Sequence, residues 1–232
     1  MSARDRILSA VRTGLGDRRP DAAAIAAEAA ALLTAPDEIR PRLVAATLVE
    51  SFCEKATALG TTIDRVAGLD AVPEAVGRYL ATHGLPPAVA LQQAPELAGL
   101  SWGEVQPHAS IAPDEAAAVG LARWGVAESG SVALHSGPDS PVLLAFLPLH
   151  HMVVLPVEGI LPHLEDYAAV IDGEGRPPRN AILITGPSGT TDIEGSYVRG
   201  AHGPGFVHIV LVDGPMHTMS HRREASTRSA PN

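Results

Sequence analysis

Cysteine is nearly absent from this sequence: Cys53 is the single one among 232 residues. One thiol excludes an intrachain disulfide, a Cys-x-x-Cys redox pair and a four-thiolate iron–sulfur cluster held by this chain alone. Aromatic residues are scarce too, at 3%, so Ala, Val, Leu and Ile must fill the core. Lysine occurs once, at Lys55, and 26 acidic residues outnumber 17 basic ones for a net charge of −9. Such a surface attracts neither nucleic acid nor an anionic membrane without a local basic patch, and Arg222-Arg223 is too short to be one. No apolar run approaches the roughly 18 residues of a membrane span, and acids and arginines stand where a signal peptide would carry its apolar region. The expectation is a cytoplasmic protein with no membrane insertion and no nucleic-acid partner.

What is present is globular material, 46% hydrophobic and 19% charged, in a chain long enough to bury a substantial core. Ile7, Leu8 and Val11 predict a helix over Ser2–Leu15, and the Ala-rich stretch Ala22–Leu33 a second. Residues 1–36 thus read as a helical extension. From Asp37, Val44, Leu48, Phe52, Ala56 and Leu59 follow one helical stripe, with Pro41 tolerable in the first turn and Gly60 as its stop. Cys53 falls on or beside this stripe and reads as a structural thiol.

Beyond Gly60 the pattern alternates between β and α. Strands are predicted at Thr61–Val66 and Pro87–Leu91, and helices at Ala71–Thr82 and Pro113–Val119. Trp124–Ala127 and Ser131–His135 read as strands joined in a hairpin at Ser129-Gly130. The apolar runs Val142–Leu147 and Met152–Val157 look like strands buried on both faces. Strand Ala181–Thr185, helix Thr191–Arg199 and strand Val207–Val212 follow. The expected fold class is α/β, an open mixed or parallel sheet flanked by helices over residues 37–213. The strands at 142–147, 152–157, 181–185 and 207–212 are placed near its centre. Residues 214–232, with no apolar period, are expected to form a disordered tail.

Three features carry candidate chemistry. In Gly186-Pro187-Ser188-Gly189-Thr190-Thr191-Asp192-Ile193-Glu194, a Gly-rich turn between a strand and a predicted helix offers backbone N–H groups and the hydroxyls of Ser188, Thr190 and Thr191 to an anion. It lacks the lysine of a P-loop, and Thr191-x-x-Glu194 equally fits a capping box that merely closes a helix start. In Ala127-Glu128-Ser129-Gly130, a carboxylate beside a tight turn could act as nucleophile or general base, or be a solvated turn residue. The histidines include His150-His151 before a buried strand and His202 in a His-Gly-Pro turn. None of them has metal-ligand spacing, so neutral imidazoles held by backbone hydrogen bonds compete with any site role.

Taken in order, these segments resemble the lactate-utilization protein C family of LUD-domain proteins. The likeness rests on Ala127-Glu128-Ser129-Gly130-Ser131, on Pro148-Leu149-His150-His151, and on Gly186–Glu194 with Gly200-Ala201-His202-Gly203-Pro204. It implies a fold similar to the sugar-phosphate isomerase and CoA-transferase-like superfamily, and a part in oxidising L-lactate to pyruvate with iron–sulfur partner proteins. Cofactor clusters would then sit on those partners only, which suits a chain with one cysteine. The sequence departs from the family pattern with Gly189 where Arg is common and Thr191 where Ala is common, so the loop carries no formal positive charge. The expected catalytic group is Glu128, His151, Asp192, Glu194 and His202. The expected loop for a small anionic ligand is Gly130, Gly186, Pro187, Ser188, Thr190 and Thr191. Glu128, His151, Ser188, Asp192, Glu194 and His202 are expected around one cleft at the strand ends. The competing function is a stand-alone enzyme of CoA-transferase-like fold that uses Glu128 on an acyl, CoA or phosphate-bearing substrate. Fold likeness alone licenses neither chemistry.

Overall fold

The computed structural model describes residues 2–16, 21–34, 40–175, 178–191, 193–214 and 216. They fall into two units, Met1–Pro41 and Arg42–Asn232. The first holds α1 (Ala3–Leu15) and α2 (Ala22–Thr34). Ser2 and Asp5 close the start of α1 reciprocally, the Asp5 N–H donating to Ser2 Oγ at 3.1 Å and the Ser2 N–H to the Asp5 carboxylate at 2.9 Å. The tail expected at 214–232 lies outside the described residues except for Gly214 and Met216.

The second unit runs α3 (Leu48–Ala58), β1 (Thr62–Val66), α4 (Val72–Thr82), β2 (Ala88–Leu91), α5 (Pro95–Ala98), β3 (Gln106–His108), β4 (Ala117–Leu121), β5 (Trp124–Val126), β6 (Ser131–His135), β7 (His150–Pro156), β8 (Ile160–Leu161), α6 (Leu164–Gly173), β9 (Ala181–Ile184), β10 (Gly189–Thr191), β11 (Tyr197–Arg199) and β12 (Phe206–Val212). Six strands form a parallel sheet in the order β1-β12-β7-β4-β2-β3. A second sheet, β8-β5-β6-β9, is mixed, and β10-β11 is a separate hairpin.

Strand alternation explains the layers. Met152 and Val154 of β7 pack with Val72, Val76 and Leu80 of α4 on one face of the central sheet. Val153 and Leu155 pack on the other, with Phe52 and Ala56 of α3 and with Val132 and Leu134 of β6. Every residue of β7 is buried, because helix covers one face and a second sheet covers the other. Tyr167 of α6 then packs with Val126 and Ala133 on the outer side of the second sheet. The expected α/β class, a parallel sheet flanked by helices, is what the chain adopts.

Several local expectations are corrected. The helix predicted from about residue 37 begins only at Leu48, where Thr47 Oγ1 accepts from the Glu50 N–H at 3.1 Å and caps it, so Val44 lies outside the helix and is exposed. Pro113–Val119 is not a helix: β4 starts at Ala117, and its small residues fit between β2 and β7, overriding alanine's helix preference. Val142–Leu147 is not a strand. Pro141 and Pro148 bracket it, and Val142–Ala145 forms a short 3-10 turn closed by the Phe146 N–H on Leu143 O at 3.1 Å. Ala181–Ile184 is a strand, but it is the edge of the second sheet. The predicted helix Thr191–Arg199 is the β10-β11 hairpin, turned near Gly195 at φ +86°. The helix α6 is an addition to the elements read from the sequence.

Candidate functional site

The β5-β6 turn places Glu128 at one end of the second sheet. Gly130 adopts φ +67°, and a methyl there would collide with the Ala56 backbone of α3, so only glycine lets the turn seat on that helix. Glu128 Oε1 accepts from the Leu164 N–H at 2.9 Å and Oε2 pairs with His163 Nδ1 at 2.9 Å. The two side chains are 13% and 14% exposed. Leu164 opens α6, whose first N–H groups have no partner within the helix, and a carboxylate there also meets the positive end of the helix dipole. Glu128 is therefore an anchor for α6 with both oxygens occupied, not a solvated turn residue.

Hydroxyls connect this turn to the Gly186 segment: Ser129 Oγ lies 2.8 Å from Ser131 Oγ, which lies 2.7 Å from Thr185 Oγ1. Gly186 and Pro187 pack against the end of α3, near Leu59 and Gly60. The Ser188 N–H donates to Pro204 O at 2.8 Å, and Ser188 O accepts from the Gly200 N–H at 2.9 Å. The loop's polar backbone thus ties it to residues 200–204. The next element along the chain is strand β10, so the helix N-terminus that the anion cradle requires is not there. The capping reading of Thr191 and Glu194 loses its helix by the same observation. Thr190 is half-buried, whereas Thr191, Glu194 and His202 are exposed. Asp192 lies outside the described residues. A Cβ at Gly189 would run into the Tyr197 ring, which occupies the space over that backbone.

His151 lies elsewhere. It follows His150 into β7 and faces the layer between the two sheets, 1% exposed. Neither ring nitrogen has a hydrogen-bond partner among the described residues. Burial pulls its pKa from 6.5 to about 4, so the ring is neutral at pH 7. It lines a chamber of about 10 Å³ with Gln92, Gly120, Leu134, Leu144 and Ile182. The bare backbone of Gly120 makes the room, since a Cβ there would stand 3.0 Å from His151 Nε2 and 3.4 Å from Gln92 Oε1. Gln92 Oε1 is fixed by the Leu121 N–H at 2.8 Å.

The chamber shares Gln92, His135, Ser136 and Ser140 with an open cleft of about 280 Å³. That cleft lies outside the C-terminal ends of β2 and β4, where open α/β sheets take their ligands. Glu96, Arg123, Asp139 and Glu174 also line it. His135 Nε2 lies 2.8 Å from Tyr167 Oη, and burial holds its pKa down. The structure thus draws Gly130, Gly186 and Pro187 together at α3, with Glu128 linked to them, and puts His151 at a different site with Gln92 and His135, which also line the cleft that holds Arg123. Sequence reasoning misses those three. The one signal for them is Gln92, a polar residue directly ending the apolar run Ala88–Leu91.

The opposite, N-terminal ends of the central strands carry a third polar group. His150 Nδ1 lies 3.0 Å from Tyr79 Oη, and its ring stacks on Phe206 with centroids 4.3 Å apart. The Arg199 guanidinium lies over the same phenyl ring, 4.4 Å from its centroid. His208 Nδ1 lies 2.8 Å from Thr62 Oγ1. Burial, partly offset by the Asp64 charge, pulls His208 to about 4, while burial pushes Tyr79 up to about 12. Among the described residues no group of three or more His, Cys, Asp or Glu side chains is arranged to hold a metal ion.

Known proteins share this framework. The protein named lactate utilization protein C from Anoxybacillus flavithermus is 29% identical over 181 residues, 72% of this chain and 81% of that one. Its namesake from Geobacillus kaustophilus is 34% identical over 119 residues, and the match spans 50% of that protein's length. A crystal structure of a DUF162 family protein from Deinococcus radiodurans superimposes with a TM-score of 0.52 at 17% identity, covering 71% of this chain and 96% of that one, which shows a common fold. The LUD domain model matches residues 51–212, from α3 to the end of β12, and by that match the chain belongs to the LUD domain family.

Proposed function

We propose that this protein is the cluster-free component of a cytoplasmic system that oxidises L-lactate to pyruvate, working with iron–sulfur partner proteins. The observation that carries this reading is the similarity to proteins named lactate utilization protein C, which in one case extends over 181 residues. Converting the lactate alcohol to a ketone releases two electrons and two protons. Cys53 alone cannot ligate a cluster that would take the electrons, so that task falls to the partners.

The surface supports a subunit. Phe146, Leu149 and Tyr197 are 42%, 47% and 68% exposed, and Leu149 lies against Gly200 and Gly205 beside the β10-β11 hairpin. Large apolar and aromatic side chains left exposed suit a protein partner. No helix among the described residues is long and apolar enough to cross a membrane. The second reading, an acyl- or CoA-transferring enzyme using Glu128, has less support, because the geometry gives Glu128 a structural task, its two oxygens engaging His163 and the Leu164 N–H at the start of α6. Lactate-dependent dye reduction by the co-purified iron–sulfur proteins, with and without this chain, tests the proposal. Omitting the chain should abolish the rate; an unchanged rate would overturn it.

A further inference from the structure

We propose that the cleft outside the C-terminal ends of β2 and β4 binds a small uncharged hydroxy compound, with one hydroxyl entering the chamber over Gly120 and hydrogen-bonding His151. This goes beyond the role in lactate oxidation and does not depend on it.

His151 is the first argument. The chamber walls combine Leu134, Leu144 and Ile182 with Gln92, Ser136 and Ser140, yet the imidazole they surround has no protein partner at either nitrogen among the described residues. Buried polar groups are nearly always paired, so an orphaned ring lining a chamber that shares Gln92, His135, Ser136 and Ser140 with an open cleft points to a partner from outside. Gly120 is the second. Any larger residue would fill the space in front of Nε2, so its absent side chain keeps that nitrogen reachable.

Size and chemistry then select the ligand. About 10 Å³ admits a single water-sized group. In a neutral imidazole Nε2 is a donor in one tautomer and an acceptor in the other; a hydroxyl satisfies both, a carboxylate only the first. The outer cleft sets the charge. Glu96, Asp139 and Glu174 oppose Arg123 as the only cation among its described lining residues, and a net negative rim repels an anion. His135 adds no charge, since burial lowers its pKa and its Nε2 is engaged with Tyr167. At about 280 Å³ the cleft holds a molecule of a few heavy atoms with room for solvent.

The test uses the full chain with isotope-labelled histidine, the His151 resonances being assigned by their loss in His151→Leu. L-lactamide and 1,2-propanediol serve as neutral probes, and L-lactate as the charged counterpart of the amide. Both neutral probes should shift His151, and L-lactate should bind at least about tenfold more weakly than L-lactamide. Gly120→Ala, which keeps the imidazole but obstructs it, should weaken the neutral probes by about tenfold, the worth of one good hydrogen bond. His151→Leu should do the same in calorimetry, which keeps the test open should Gly120→Ala not fold. Three results would overturn the proposal: His151 resonances that ignore the neutral probes, meaning a chamber for water alone; affinities unchanged in both variants; or L-lactate binding more tightly than L-lactamide.

Discussion

Replacing His151 with leucine should make the protein less sensitive to acid. In the folded chain burial holds the His151 pKa at about 4, against about 6.5 when unfolded. Because the folded value is the lower one, the unfolded chain binds the extra proton, and stability falls as pH drops from 6.5 towards 4. Above 6.5 the ring is neutral in both states, and below 4 it is charged in both, so neither range adds a further change. Going from pH 7 to pH 5 therefore costs about 2 kcal/mol through this one residue. His208, also pulled to about 4, adds a loss of similar size. Together they reach a large fraction of the roughly 5–15 kcal/mol that holds a typical domain folded. His151→Leu removes the first contribution and leaves the second. At pH 7 the variant should equal the parent or exceed it by about 1–3 kcal/mol, because two unpaired buried nitrogens are replaced by apolar atoms of similar volume. Urea unfolding of both proteins at pH 7 and pH 5 gives the four values required. Equal losses of stability between the two pH values in parent and variant would refute the assignment of His151 as buried, neutral and unpartnered.

Glu128→Ala, which strips the Leu164 N–H and His163 of their common acceptor, should cost about 1–2 kcal/mol in urea unfolding; Glu128→Gln, keeping an oxygen for Leu164, should cost less. Gly130→Ala should destabilise by at least about 2 kcal/mol, since an alanine at φ +67° is strained and its methyl meets the α3 backbone; thermal unfolding of the purified variant reads this directly. Gly189→Arg should displace the Tyr197 ring, visible as altered tyrosine resonances, while changing stability by no more than about 0.5 kcal/mol, because the hairpin is largely exposed. Leu155→Ala, at a position closed by both α3 and the second sheet, should cost about 2–5 kcal/mol by chemical denaturation.

The primary sequence by itself determined the class of fold and the central strands β7 and β12, because unbroken apolar runs with no polar face have few places to go except between two covering layers. It also determined the β5-β6 hairpin, whose Ser129-Gly130 turn is local chemistry, and the family, whose turn motifs are contiguous. Tertiary structure decided the rest. The Ala-rich stretch entering β4 has helix propensity, but its small side chains are what the gap between β2 and β7 admits, and packing outweighs a few tenths of a kcal/mol per residue. Thr191–Arg199 carries a capping pattern, yet its β-branched and aromatic residues pair across Gly195 into a hairpin. The His150-His151 motif nominates His151 but puts it in the wrong company: only the pairing of β4 with both β2 and β7 in the central sheet shows that it meets Gln92 and Gly120, residues 59 and 31 positions earlier by their numbers. The turn motif nominates Glu128 as a reacting group, and its partners, His163 and the first N–H of α6, belong to elements with no sequence signal pointing back to it. Local patterns in a chain report on the residue's own element, whereas a site is made where separate elements meet, and that meeting is fixed by the burial of the whole core.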